Sequence, residues 1–166
     1  RNIVVAGVGT FIGAASFSVD ATINSVTVGK GAGSVVNNTV VGNAALDANT
    51  TGNQNTAIGA NALTDNTTGQ FNTAVGRLSL QDNTTGAYNT AVGEGSLEFN
   101  VTGNYNTAIG RGTLQDNTVN NNTAVGYLAL TQNTTGANNV AVGSNAADAN
   151  TTASNNTAVG YNALTA

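Results

Sequence analysis

The chain has 166 residues and a formal net charge of −4, with only 7% charged residues, 21 Gly and no Pro, Cys, Met, Trp or His. An acidic chain this poor in Lys and Arg has no basic surface for a phosphate backbone, which argues against nucleic-acid binding. Without His or Cys it lacks the common nucleophile–base pairs and any disulfide framework, so it reads as a non-enzymatic protein with no cofactor or metal.

In chain order, the first segment is apolar. Residues 3–19 are uncharged but interrupted by Gly7, Gly9, Gly13, Ser16 and Ser18, too short and too Gly-rich for a membrane-spanning helix. Phe17, Val19, Ala21 and Ile23 then alternate as a strand does. Such a stretch should not lie free in water, so residues 1–25 are expected to form an apolar β-strand arm that packs on a neighbouring subunit. Residues 26–166 are expected to form a separate repeat domain.

The repeat is Asn-Thr-Ala-Val-Gly, with its Gly at 42, 59, 76, 93, 110, 126, 143 and 160. The intervals are 17 residues except for one of 16, before Gly126. Chance does not produce eight such copies. A helix is excluded because Asn, Thr, Gly and Val are poor helix formers and because helical repeats need longer units. Seventeen residues suit two short strands and two turns, stacked about 4.8 Å apart as an all-β solenoid of about eight coils.

Each column of this stack carries an expectation. Val or Ile always precedes the Gly, at 41, 58, 75, 92, 109, 125, 142 and 159. These β-branched residues are expected to point inward. Four residues after the Gly comes Leu46, Leu63, Leu80, Leu97, Leu114, Leu130 or Leu164, with Ala147 the exception, as the second core column. The Gly of Asn-Thr-Thr-Gly is expected at positive φ in a turn. One Val and one Leu contribute roughly 3–6 kcal/mol on burial, against about 1–2 kcal/mol per residue for ordering the backbone. A coil therefore folds only against its neighbours.

Three further columns are candidate sites. Asn49, Asn66, Asn83, Asn100, Asn117, Asn133 and Asn150 suit a ladder of amides bonded across coils. All of these except Asn117, together with Asn37, Asn121 and Asn155, also lie in Asn-x-Ser/Thr sequons and are candidate glycosylation sites. Phe71, Tyr88 and Tyr105 fall on consecutive coils, where rings stack or offer a surface for binding. Arg77, Glu94 and Arg111 alternate in sign, as an ion ladder on an exposed face does. Asp65, Asp82 and Asp116 share a turn column and read as solvated, and one Asp per coil is too few for calcium.

With these residues in view, Asn-Thr-Ala-Val-Gly and Ser25-Val26-Thr27-Val28-Gly29 resemble the head repeats of trimeric autotransporter adhesins, which have a shorter period. The longer unit with Asn-Thr-Thr-Gly, and the segment from Asp20 to Gly33, resemble phage tail-fibre shafts. The resemblance covers about residues 20–166. It implies a left-handed β-roll, an extracellular location on a virion or cell surface, and copies of the chain itself as partners, joined head to tail or as a parallel trimer. Two roles follow: a passive fibre subunit, or a module that binds a glycan or receptor. The regular columns favour the first.

Overall fold

The computed structural model describes residues 20–23 and 26–165. Apart from Asp20 and Ala21–Ile23, the expected arm over residues 1–25 lies outside them. The described chain is all-β, with no α-helix and one short 3₁₀ turn at Ala32–Ser34. Its strands are β1 (Ala21–Ile23), β2 (Val26–Gly29), β3 (Thr39–Gly42), β4 (Thr56–Ile58), β5 (Thr73–Val75), β6 (Thr90–Val92), β7 (Thr107–Ile109), β8 (Thr123–Val125), β9 (Val140–Val142) and β10 (Thr157–Val159). They form one sheet in sequence order. From β3 to β10 every pairing is parallel and in register, Thr over Thr and Ala over Ala except where Val40 takes the Ala place and Val140 the Thr place, so the chain winds as a solenoid. The segment Ser25–Gly29 reads like a repeat unit, yet β2 pairs antiparallel with both β1 and β3. The parallel stack begins only at Thr39. Asp20 ties down this leading end, its carboxylate accepting from the backbone N–H groups of Lys30 and Gly31, each at 2.6 Å.

The core corrects one expectation. The Leu column is inside, with Leu63, Leu80, Leu97, Leu114 and Leu130 at 0% exposure. The Val/Ile column is not. In each strand from β4 to β10 the central Ala is buried (Ala57, Ala74, Ala91, Ala108, Ala124, Ala141 and Ala158), while the flanking Thr, Val or Ile point outward. The reason is volume. A 17-residue coil encloses little space, and Leu reaching across from the turn takes up most of it. Ala fits the remaining space on every coil from β4 to β10, and the leading coil takes a branched residue there, Val40 of β3, buried with Leu46. The small residue before each Leu, such as Ala62, Ser79 or Thr113, is buried for the same reason.

The turns correct a second. The Gly residues of Asn-Thr-Thr-Gly, such as Gly69 and Gly86, are not among the positive-φ positions. They must be Gly because of close approach: a Cβ on Gly69 would collide with the Asn66 side chain and with the Gly86 carbonyl of the next coil. Positive φ falls instead on the repeat Gly itself, such as Gly59 at 138°, and on three further residues of most coils. In one coil these are Asn61 (57°), Leu63 (53°) and Phe71 (58°). For non-glycine residues this backbone costs roughly 1–2 kcal/mol each, and the ladder of bonds between coils holds it. Leu63 N–H donates to the Ser79 carbonyl on one side, and Leu78 N–H to the Ala60 carbonyl on the other, each at 3.0 Å.

Candidate functional surfaces

The interior polar columns satisfy one another. Asn83 Nδ2 donates to Asn66 Oδ1 at 2.8 Å, and Asn100 Nδ2 to Asn83 Oδ1 at 3.1 Å, each amide also bonding a Gly carbonyl of its own turn. This is the expected Asn ladder. A second ladder runs beside it through the Asn of Asn-Thr-Ala-Val-Gly. There the backbone N–H of Asn72 donates to Asn55 Oδ1 at 2.9 Å, and Asn72 Nδ2 to the Gly86 carbonyl at 2.8 Å. Sequence reasoning left that column uninterpreted. Its signal was the unbroken run Asn38, Asn55, Asn72, Asn89, Asn106, Asn122, Asn139 and Asn156. The 16-residue coil disturbs the first ladder only. Asn117 Nδ2 turns to the Val119 carbonyl, leaving Asn100 Oδ1 buried without a donor.

The ladder decides which sequons a folded coil can modify. Asn49, Asn66, Asn83, Asn100 and Asn133 are buried with their amides bonded inward, and Asn150 donates to Asn133 Oδ1. A glycan on any of these amides is incompatible with the stack. Asn37, Asn121 and Asn155 are exposed at left-handed turn positions and remain open to modification.

On the surface, the rings of Phe71 and Tyr88 lie 4.8 Å apart and nearly parallel, and those of Tyr88 and Tyr105 5.0 Å apart. Stacking covers both faces of Tyr88 and one face each of Phe71 and Tyr105. Since flat ligands and sugars dock on aromatic faces, this geometry favours packing over a binding platform.

Arg77, Glu94 and Arg111 form the expected ion ladder. Arg77 Nη2 meets Glu94 Oε1 at 2.6 Å and Arg111 Nε meets Glu94 Oε2 at 3.3 Å. Tyr127 continues the column, with its hydroxyl 3.4 Å from Arg111 Nη1. The hydrogen bond from Arg77, then that from Arg111, holds the Glu94 carboxyl below the usual carboxylate range. The group is exposed, so its worth is small. That contribution is present above the ordinary carboxylate range and fades as pH falls through the lowered value. Glu94→Arg should lower the melting temperature only slightly at neutral pH, and a collapse comparable to a core substitution would contradict the exposed ladder.

Along the outer face of the sheet runs an apolar stripe: Val41, Ile58, Val75, Val92, Ile109, Val125, Val142 and Val159, extended by Val28 opposite Val41. Ile109 is 41% exposed and Val142 38%. Among the described residues no group of three or more carboxylates gathers as a metal site, and no helix is long and apolar enough to cross a membrane.

No family model, curated protein or solved structure matches the chain.

Proposed function

We propose that the chain is a rod-like structural subunit of an extracellular fibre and associates with copies of itself. The observation that carries this reading is the Val/Ile stripe. It runs the length of the parallel stack, flanked by Thr and Gly and without a charge in its own columns. A continuous exposed apolar stripe is costly in water and is covered in an assembly. Two parallel copies can align these stripes at the same axial repeat, each branched side chain meeting an equivalent one. The coils supply axial stiffness and the stripe supplies lateral association. Head-to-tail joining through residues 1–25, on a virion or a cell surface, belongs to the same proposal.

The reading is tested by sedimentation of the double variant Val92→Lys with Ile109→Lys. These side chains point outward, so the variant should keep the melting behaviour of an isolated rod while its sedimentation coefficient falls to that of a monomer. Unchanged association with both lysines in place would overturn it. The alternative, a glycan-binding module of a fibre or adhesin, is supported by a place where two adjacent coils interrupt the pattern of the surface.

A further inference from the structure

The second position after each repeat Gly has left-handed φ on every coil. It holds, in order, Ala44, Asn61, Leu78, Gly95, Gly112, Leu128, Asn145 and Asn162. Gly is not required there, since Asn, Leu and Ala take the same backbone on the other coils. Yet Gly95 and Gly112 sit on adjacent coils, so two neighbouring side chains are missing from the ridge, and Leu128 leans over the second, its Cδ2 2.6 Å from where a Gly112 Cβ would lie. The result is a notch of about 190 Å³ between Leu78 and Leu128, with the ion ladder on one flank and Glu98 and Gln115 on the other.

Both Glu and two of the three Arg of this sparsely charged chain are gathered here. It has only two Glu, Glu94 and Glu98, and only two Arg beyond Arg1, Arg77 and Arg111. All four line the notch. Three of them pair as the ion ladder, and Glu98 adds a fourth charge beside it.

We propose that this notch binds one neutral sugar ring of a glycan. The charges sum to zero, so the site selects neither anion nor cation by net field. It sets donors, two guanidinium groups and an amide, beside acceptors, two carboxylates. A ring hydroxyl donates one hydrogen bond and accepts another, and neighbouring hydroxyls on a pyranose match such alternating groups. The polar groups are held in advance, Glu94 by both Arg and Glu98 by Gln115 Nε2 at 2.6 Å. Preorganisation of this kind lowers the cost of binding. Glu98 and Gln115 also overhang the vacated floor. A Cβ on Gly95 would lie 3.1 Å from Glu98 Oε2 and 3.7 Å from Gln115 Nε2. Leu78 and Leu128 supply apolar ends for the C–H faces of a ring. The volume is below the roughly 300–1,000 Å³ of sites for drug-sized ligands and suits a single ring. The assignment is independent of the fibre reading, which needs no ligand.

The test is a two-dimensional NMR titration of the full chain with methyl glucoside, galactoside and mannoside, and with methyl glucuronide as the anionic comparator. At least one neutral hexoside should shift the Gly95 and Gly112 amides saturably. The double variant Gly95→Asn with Gly112→Asn, carrying the residue the fold uses at Asn61 and Asn145, should bind it at least about tenfold more weakly and melt as the parent does. If that variant does not fold, Glu98→Ala should show the same weakening. No saturable shift with any neutral hexoside, undiminished affinity in the folded variant, or tighter binding of the glucuronide than of every neutral hexoside would each overturn the proposal.

Discussion

Leu97→Asp should abolish the cooperative melt of the middle coils, while Glu98→Ala leaves the melting temperature almost unchanged. Leu97 is fully buried between the equivalent Leu residues of the coils on either side, and Glu98, its chain neighbour, reaches the surface. An unpaired carboxylate in that column loses its hydration and gains no counter-charge, a penalty of at least about 3–5 kcal/mol by analogy with broken buried pairs. The damage spreads because every coil is supported only by those next to it. Ala147 occupies the same column in the native chain, so a smaller apolar side chain is tolerated there. Circular dichroism melts of the two variants decide the matter, and comparable midpoints would remove Leu97 from the core.

Asn83→Ala should cost at least about 3 kcal/mol, with one orphaned buried acceptor at about 1–3 and three lost net hydrogen bonds at about 0.5–1.5 each. Among the described residues Asn83 Nδ2 is the only side-chain donor to Asn66 Oδ1, and Asn83 Oδ1 receives Asn100 Nδ2. For a chain of this length that corresponds to a fall of about 10 °C in melting temperature. Thr85→Ala, at an exposed position two residues on, is the control and should shift the midpoint little. Equal behaviour of the two variants would mean that the ladder contributes nothing beyond filling space.

Much of this arrangement is legible from the period alone, because a 17-residue repeat places equivalent residues one above another. The Leu column, the first Asn ladder, the Phe71–Tyr88–Tyr105 stack and the Arg77–Glu94–Arg111 ladder all follow from that one fact. What the period does not fix is which side of a strand faces inward. Thr-Ala-Val is too short for alternation to choose between the central residue and its two flanks, and the more hydrophobic Val misleads. The volume inside the coil makes the choice, and that depends on where Leu reaches from the opposite wall. The turn chemistry was hidden for a related reason: Leu63 and Phe71 take left-handed backbone that their side chains do not advertise, while Gly69 is kept small by what lies beside it. Gly95 and Gly112 read as ordinary turn residues until the stack shows that they are neighbours.

The stranded Asn100 carbonyl has a mechanical consequence. Pulled from its two ends, a stack of coils carries the same tension across every interface and parts at the weakest. The interface between the Asn100 and Asn117 coils lacks the amide bond that its counterparts have, because the shorter turn draws Asn117 Nδ2 to Val119. The same interface is crossed by Arg111 reaching Glu94, Gln115 reaching Glu98 and Asn104 reaching Asn120. Under load the bond lost inside the shortened turn is therefore bridged from the surface, and tension there passes through side chains instead of the interior ladder.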